Sequence, residues 1–409
     1  MKPLQGIKIV DATTFLSGPY ATLLLGGLGA EVIKVENPKG GDPSRISPPF
    51  AGPEGAAGSR QSDDDLSFGF LKRGRNKKSV TLNLKTPEGK EIFKRLAKEA
   101  DVVMENFRPG TMDRLELGWD VLKEINQRLI YCSLSGFGLS GEYAKLPAFD
   151  IVIQAMSGIM NINGEAGSPP VKAGLTLGDL AGGLFSTIGI LAALQQRSVT
   201  GEGQLVEVSM LDAMIAMLMD EAHDFWAAQG NDLRMGNRLL RLTPFNSYAV
   251  SDGYIVIASG NDTHWQRILK AIGREDLIGD ERYAVQAART DRADEVDEII
   301  KQWSVTQSAA EAVARLQEFD VPCAPVRDLS QVLADKELRQ RGSLTDLIHP
   351  LTGAVDGYTS WGMPMKFSGA QADFDQPAPQ LGEHNQEIFG DLLGMSAAEI
   401  ADLKNSGII

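Results

Sequence analysis

Residues 6–36 read GIKIVDATTFLSGPYATLLLGGLGAEVIKVE, and this stretch decides the fold. Its apolar runs at 6–11 and 31–36 are typical of buried strands. Pro19 fits the first turn of a helix between them, and Gly29 fits its end. A strand, a helix and a second strand in this order form a βαβ unit, which implies parallel strands. The sequence therefore predicts an α/β fold with a Rossmann-like parallel sheet.

The same alternation continues along the chain. Segments 101–106 (DVVMEN) and 129–134 (LIYCSL) are typical of strands, and segments 86–100 and 120–126 are typical of helices. We therefore expect at least four strands in a doubly wound sheet. A ligand of such a sheet binds beyond the carboxyl ends of the strands. Here those ends continue into TTFLSGP, NPKGGD, NFRPG and SGFG.

A nicotinamide-dependent dehydrogenase is one alternative that such a sheet suggests, with Glu36 bound to the ribose. The turn after the first strand lacks the G-x-G-x-x-G motif, which allows close approach of the backbone to a pyrophosphate. The sequence therefore disfavours this alternative.

A single carboxylate stands out in residues 172–197, KAGLTLGDLAGGLFSTIGILAALQQR. Asp179 begins an apolar helix, where an acid is either an N-cap or a nucleophile. The two interpretations are compatible, because the donors and the dipole of a helix start keep a carboxylate ionised. Gly182 and Gly183 would admit a bulky ligand. A lone carboxylate can attack an acyl group that is already activated, such as a thioester.

The composition limits the function classes. The 409 residues carry a formal net charge of -14, which argues against a nucleic-acid partner. Two cysteines far apart in sequence suggest a reducing compartment, and we expect a soluble cytoplasmic protein without a signal segment or membrane span. The four histidines are scattered and no metal-binding motif occurs, so no metal site is predicted.

A cluster of cations interrupts this acidic composition. It comprises Lys72, Arg73, Arg75, Lys77 and Lys78. A solvated loop and a site for the phosphates of an anionic cofactor explain it equally well.

Several segments together resemble the family III CoA-transferases, the group of formyl-CoA transferase, carnitine CoA-transferase and the divergent α-methylacyl-CoA racemase. The matching segments are PLQGIKIVDATTFLSGP, LGAEVIKVENPKGGD, RNKKSVTLNLKTPEGK, DVVMENFRPGTMDRLELGW, YCSLSGFGLSGEY, GDLAGGLFSTIGILAAL, TGEGQLVEVSMLDA and LGEHNQEIFGDLLG. They follow the family order over almost the whole chain. The resemblance implies an enzyme that moves CoA from an acyl-CoA to a carboxylic acid, with CoA as substrate and no permanently bound cofactor.

The resemblance also implies site residues. The family's nucleophilic aspartate falls on Asp179. The implied CoA contacts are Leu16, Ser17, Asn37, Leu82, Lys85, Asn106, Phe107, Arg108, Arg114, Gly136 and Phe137.

The implied architecture is an interlocked, ring-shaped homodimer. Residues 1–205 would form a large CoA-binding α/β domain, 206–229 a linker helix and 230–326 a smaller α+β domain. Residues 327–409 would be a linker and a C-terminal segment that returns to the large domain.

Two departures bear on the substrate. Formyl-CoA transferase has glutamine at the position of Leu16 and a glycine-rich loop in its smaller domain that this chain lacks, which disfavours a formyl or oxalyl substrate. The racemase branch has histidine where this chain has Phe149, which disfavours the alternative of an acyl-CoA racemase, epimerase or lyase. A non-catalytic CoA sensor is a further alternative. Arg234, Arg238 and Arg241 could clamp a second carboxylate, and a solvated linker explains them equally well.

Overall fold

A computed structural model describes all residues from 1 to 409. The strands are β1 Lys8–Asp11, β2 Glu31–Glu36, β3 Phe50–Gly52, β4 Gly55–Ala57, β5 Leu66–Ser67, β6 Lys77–Thr81, β7 Val102–Glu105, β8 Ile130–Ser135, β9 Gln204–Ser209, β10 Phe245–Val250, β11 Gly253–Ala258, β12 Cys323–Pro325, β13 Leu344–His349 and β14 Gly353–Trp361.

The helices are α1 Ser17–Gly27, α2 Phe68–Arg73, α3 Pro87–Glu99, α4 Thr111–Arg114, α5 Trp119–Ile125, α6 Asp150–Met156, α7 Ile159–Ile162, α8 Leu177–Thr200, α9 Met210–Leu218, α10 His223–Ala228, α11 Asp262–Ala271, α12 Gln286–Thr290, α13 Ala293–Ser304, α14 Ala309–Glu318, α15 Leu329–Leu333, α16 Lys336–Gln340 and α17 Ala397–Asn405. Three short 3-10 helices, Pro43–Ile46, Glu142–Lys145 and Glu275–Leu277, and a π-helix, Gln386–Leu392, complete the set.

The central element is a six-stranded sheet in the order β6-β2-β1-β7-β8-β9. Every neighbouring pair in this sheet is parallel. Ile9 at the centre of β1 is fully buried and pairs with Val32 on one side and Val102 on the other. The predicted α/β fold with a parallel sheet is confirmed, and its carboxyl ends form one edge.

The stretch from 40 to 81 contains regular structure. Strands β3 and β4 form a small antiparallel sheet with β5. The cation cluster at 72–78 runs from α2 into β6, an edge strand of the main sheet, so the alternative of a solvated loop does not hold. The lysines of β6 hid it from sequence analysis, because the sequence does not distinguish a buried lysine paired with an acid from a solvated lysine.

Contacts divide the chain into two compact units. The larger unit comprises Met1–Ile159, Lys172–Asp220 and Asp335–Ile409, and the smaller unit comprises Met160–Val171 and Glu221–Ala334. The predicted small domain began at residue 230, whereas the smaller unit begins at Glu221 and also takes in Met160–Val171. Within this unit, Arg234 donates from Nε to the backbone oxygen of Asn161 at 3.1 Å, which ties the two segments together.

The smaller unit has its own sheet and core. Strands β10 and β11 form an antiparallel hairpin, and β12 pairs with β11 on its other side. Trp265, Ile268 and Leu269 of α11 are buried against this sheet. The predicted linker helix is not continuous: α9 ends at Leu218, and α10 begins at His223. The intervening Glu221 is instead paired with Arg241 at 2.7 Å.

The end of the chain packs against the edge strand β6 and the loop that follows it. The backbone oxygen of Ile408 accepts a hydrogen bond from the backbone N–H of Asn83 at 2.7 Å. The side chain of Asn385 donates to Thr81 Oγ1 at 2.8 Å and accepts from its backbone N–H at 2.9 Å. These contacts hold the loop after β6, which follows directly on the edge strand.

Helix α8 packs closely on α1 and α9. A Cβ at Gly183 would lie 2.7 Å from the backbone oxygen of Ser17, and one at Gly182 would lie 3.0 Å from Met210 Cγ. The two glycines therefore admit neighbouring elements of the chain, and the expectation that they admit a ligand is wrong. By length and composition α8 could cross a membrane, but 44% of its most apolar window is buried, and core helices pass the same test.

Candidate active site

A cavity of about 550 Å³ opens at the carboxyl ends of the central strands, next to the start of α8. We call it the Asp179 cavity. Its charged lining residues are Asp179, Arg73 and Arg108, and most of the remaining lining is apolar or aromatic. Among the lining residues Asp179 is the only acid, and none is a lysine or a histidine. The cavity therefore presents a single carboxylate to an apolar space.

Asp150, not Asp179, caps helix α8. The helix begins at Leu177, its N-cap residue is Thr176, and no side chain at that position forms a cap hydrogen bond. Asp150 Oδ1 accepts from the backbone N–H groups of Gly178 at 2.8 Å and Asp179 at 3.4 Å. The interpretation of Asp179 as a cap is therefore wrong, because another carboxylate occupies these donors. Its side chain is left to face the cavity.

The environment of Asp179 makes its carboxylate costly to ionise. Burial is the largest cause, the nearby charge of Asp150 adds to it, and together they raise the pKa of Asp179 to about 6. The charge of Arg73 and a hydrogen bond from Ser17 oppose this shift. The group is mostly ionised near neutral pH but weakly solvated, which favours attack on an electrophile.

A chain of hydrogen bonds leads from the turn after β1 to Asp179. Asn106 accepts from the backbone N–H of Thr14 at 2.8 Å and donates to its oxygen at 2.9 Å. Asn106 Nδ2 also donates to Ser17 Oγ at 3.2 Å, and the Ser17 hydroxyl contacts Asp179. Asn106 and Ser17, both expected to contact CoA, thus also hold the carboxylate in place.

A second cavity of about 390 Å³ adjoins the first along the same strand ends. Thr14 and Phe107 line both. The residues expected at the site divide between the two. The Asp179 cavity contains Leu16, Ser17, Asn106, Phe107, Arg108, Gly136, Phe137 and Asp179. The second cavity contains Asn37, Leu82, Lys85, Phe107 and Arg114. Every expected residue therefore lines one of two cavities that share Thr14 and Phe107.

A group of charges buried beneath these cavities forms ion pairs with itself. We call it the buried charge network, and its members are Asp11, Lys34, Glu36, Asp42, Arg45 and Lys77. The pairs are Lys77 with Asp11 at 3.0 Å, Lys34 with Asp42 at 2.8 Å, and Arg45 with Glu36 at 2.7 Å. Three cations thus balance three acids.

The buried charge network argues against a nicotinamide-dependent dehydrogenase and supports the turn after β1. The Glu36 carboxylate is occupied by Arg45 and by the Ser79 hydroxyl, so it is not free to bind a ribose. Lys34 Nζ donates to the Thr13 oxygen at 2.8 Å, and Asp42 Oδ1 accepts from the Phe15 N–H at 3.1 Å. The turn that carries Thr14 and Leu16 therefore rests on paired charges.

The predicted cation cluster is neither a solvated loop nor one phosphate site. Lys77 belongs to the buried charge network, and Lys78 pairs with Glu31 at 2.6 Å. Arg75 donates to the Trp361 oxygen at 2.9 Å and lies 4.4 Å from the ring centre of Phe374. Within β6, the neighbouring Lys77 and Lys78 point to opposite faces of the sheet. Of the cluster, Arg73 alone lines the Asp179 cavity.

The idea that Arg234, Arg238 and Arg241 clamp a substrate is not supported. Arg238 is paired with Asp294 and Asp297, at 2.7 and 2.6 Å. Arg241 is paired with Glu221. Arg234 binds backbone and side-chain oxygens of Asn161. All three lie in the smaller unit with protein partners, and none lines either cavity.

One further acid lies directly before Asn106. Glu105 ends β7, and it accepts from the Phe107 N–H at 2.7 Å and from the Ser133 hydroxyl. No cation pairs with it, and burial raises its pKa to about 7. Its carboxylate fixes the start of the loop that lines both cavities.

Sequence reasoning missed the roles of Asp150, Arg73 and Glu105. The pair Phe149-Asp150 was read only for a missing histidine, although an acid before a helix commonly caps one. Glu105 ends an apolar strand, where a charge signals a special contact. No comparable signal distinguished Arg73 from its neighbouring cations.

Known proteins resemble this chain over its whole length. A model of CoA-transferase family III matches residues 4–385. Succinate–glutarate CoA-transferase of Agrobacterium fabrum is 34% identical over 95% of this chain and 96% of its own length. Succinyl-CoA:mesaconate CoA-transferase of Haloarcula hispanica is 36% identical, with the same two shares covered. Formyl-CoA:oxalate CoA-transferase of Escherichia coli is 34% identical over 100% of this chain and 99% of its own.

Solved structures of similar fold support the same family assignment. A CAIB/BAIF family protein from Brucella suis superposes with a TM-score of 0.80 at 35% identity, covering 96% of this chain and 99% of its own. A family model over nearly the whole chain and relatives of this identity establish the family. The chain belongs to CoA-transferase family III and is a CoA-transferase.

Proposed function

We propose that this enzyme transfers CoA from succinyl-CoA, or another small acyl-CoA, to a carboxylic acid, with Asp179 as nucleophile. The observation that carries the proposal is the single carboxylate in an apolar cavity that shares lining residues with a second cavity. Relatives that use succinyl-CoA by name support this donor. The absence of another acid or base among the lining residues favours transfer over a racemase, which needs a proton-shuttling base.

The proposed reaction begins with attack of the Asp179 carboxylate on the thioester carbonyl. The carbon–sulfur bond breaks, CoA leaves as the thiolate, and an acyl-aspartyl anhydride remains. The thiolate then attacks the aspartyl carbonyl, which releases the first acid and leaves an aspartyl-CoA thioester. No proton is gained or lost in either step.

The second half repeats these steps in reverse order. The acceptor carboxylate attacks the aspartyl-CoA thioester, and the thiolate leaves. The thiolate next attacks the acyl carbonyl of the acceptor, which forms the new acyl-CoA and restores the Asp179 carboxylate. The protein must hold the thiolate and exclude water, since hydrolysis of an anhydride wastes the activation.

The position of Asp150 restricts how the oxyanion is stabilised. The N–H groups of Gly178 and Asp179 donate to Asp150, so they are not available to a developing oxyanion. Stabilisation of the oxyanion must therefore come from donors other than these two N–H groups.

We propose that CoA extends across both cavities. Lys85 and Arg114, exposed in the second cavity, suit the phosphates, and Leu82 and Phe107 suit the adenine. Phe137 and Leu16 would then contact the pantetheine arm on its way to Asp179.

Trapping of the covalent intermediate tests the mechanism. After addition of succinyl-CoA, mass spectrometry of the wild type should show a CoA adduct on the intact protein and, after digestion, on the peptide that contains Asp179. Asp179→Asn should form no adduct and lose transfer. A matched control is Glu202→Gln, an exposed acid beyond the other end of the same helix. Full transfer activity in Asp179→Asn would overturn the mechanism.

We also propose an interlocked homodimer in a reducing compartment such as the cytoplasm. The family resemblance implies the dimer, and apolar side chains of α8 support it: Leu184, Phe185 and Ile188 are 45, 38 and 59% exposed. The two unpaired cysteines support the compartment. A monomeric mass by light scattering at micromolar concentration would contradict the dimer.

A further inference from the structure

The Asp179 cavity contains two guanidinium groups, and they differ in their surroundings. Arg108 is exposed and belongs to the set expected to contact CoA. Arg73 is only partly exposed and lies at the end of α2. It is not one of the residues expected to contact CoA. The guanidinium of Arg73 is therefore available to bind an anionic group other than the CoA phosphates.

Arg73 is anchored but not neutralised. Its Nε donates to the backbone oxygen of Phe15 at 3.2 Å. Its charge interacts with Asp42 and Asp179, yet it forms no ion pair with either, since Asp42 is paired with Lys34. Burial lowers the pKa of Arg73, and a guanidinium stays protonated in proteins. One edge of the guanidinium is therefore fixed, and its remaining N–H groups are left for a ligand.

The sequence makes room for this guanidinium. Gly69 lies one helical turn before Arg73, and a Cβ at that position would come within 2.7 Å of Arg73 Nη2. Gly69 does not have a positive φ, so its lack of a side chain is not required by the backbone. The glycine therefore matters for the position of the guanidinium above it.

The chemistry of the cavity indicates which anion fits. The thioester carbonyl must reach Asp179, and the surrounding apolar lining suits methylene groups. A guanidinium in the same cavity suits a second carboxylate at the far end of a short acyl chain, where it forms charge-assisted hydrogen bonds. We propose that Arg73 binds this distal carboxylate, so that the site selects dicarboxylic acyl groups. This inference rests on the proposed transferase function.

The test compares two acyl groups of equal length. Succinyl-CoA carries a distal carboxylate, and butyryl-CoA carries a methyl group in its place. Arg73→Met keeps most of the side-chain volume and removes the charge. We expect it to lower kcat/KM for succinyl-CoA about tenfold to a hundredfold, the range for a lost charged hydrogen bond. At a pH well above 6, where Asp179 is ionised in both proteins, the rate of labelling by butyryl-CoA and inhibition by free CoA should not change.

Two further variants separate position from charge. Arg73→Lys should recover part of the selectivity, because it keeps a charge without the planar fork. Gly69→Ala should lower the succinyl-to-butyryl ratio by displacing the guanidinium, although alanine favours the helix. Gly58→Ala is its control, since nothing lies within 4 Å of a Cβ there.

The possible results distinguish the two proposals. An equal loss for both acyl-CoAs, or weaker inhibition by CoA in Arg73→Met, would assign Arg73 to the loop structure or to the CoA phosphates and overturn this inference alone. If neither acyl-CoA labels wild-type Asp179, the proposed mechanism fails and this inference fails with it.

Discussion

Two groups of charges at the same sheet edge are treated in opposite ways. In the buried charge network every acid has a cation within 3.0 Å. In the Asp179 cavity the carboxylate forms no ion pair with Arg73 or Arg108. The first group is complete without a ligand, whereas the second leaves charges of both signs for a ligand to satisfy.

The pKa directions follow this difference. Burial alone would raise the pKa of Asp11, and the charges of Lys77 and Lys34 overcome it and leave that pKa below its usual value. Burial raises the pKa of Asp179, and no paired cation reverses the effect. Buried acids of similar appearance in sequence thus divide into structural and reactive ones according to their partners.

The largest expected effect comes from breaking the network. Lys77→Met leaves Asp11 buried without its nearest cation, and we expect a loss of about 3–5 kcal/mol in the free energy of unfolding. Urea denaturation at fixed protein concentration measures it. Lys78→Met on the same strand is the control, because its partners are partly exposed and its loss should stay below about 1 kcal/mol. Equal losses in the two variants would contradict the distinction.

Glu105 extends the comparison to an acid that is buried without a cation. Its folded pKa of about 7 lies above the unfolded value of 4.5, so the folded state binds more protons between these values. Stability is therefore lost as pH rises from about 4.5 through 7. Relative to Glu105→Gln, the wild type should lose about 3 kcal/mol over this range and no more above it. Parallel pH profiles of stability for the two proteins would show that burial does not raise the pKa of Glu105.

Asp179→Asn should abolish transfer and stabilise the fold. The folded pKa of Asp179, about 6, lies above its unfolded value of 3.8. Ionisation of Asp179 therefore destabilises the fold, and stability falls as pH rises from about 3.8 through 6. Allowing for partial exposure and for the contact with Ser17, we expect the variant to be about 1–2 kcal/mol more stable at pH 7.5. The advantage should disappear below pH 4. A destabilised variant would place Asp179 among the structural acids.

The smallest expected effect is a shift in a pH profile. Formation of the aspartyl-CoA adduct in single turnover should rise with pH through a midpoint near 6, as the Asp179 carboxylate ionises. Arg73→Met removes a charge that lowers this pKa, and the midpoint should move upward by less than about one unit. A downward shift would contradict the proximity of the two charges.

The sequence predicted the parallel sheet well, because apolar runs and glycine or proline at their ends are local signals. It failed at the structural role of Lys77 and at the capping role of Asp179, because each depends on a partner distant in sequence. Lys77 was assigned to a solvated loop or a phosphate site, because nothing near it indicated Asp11. Asp179 was interpreted as a cap as well as a nucleophile, because nothing near it indicated that Asp150 would take those donors. Long-range pairing of charges leaves no periodic pattern.

The wall that Thr14 and Phe107 share between the two cavities has a kinetic consequence. A ligand that fills both cavities is held at two separate points, so its reactive end can be released while its other end stays bound. That end then behaves as a tethered reactant, whose local concentration is set by the length of the tether and not by bulk solution. An acid that enters from solvent therefore competes with a tethered reactive end that stays in the site.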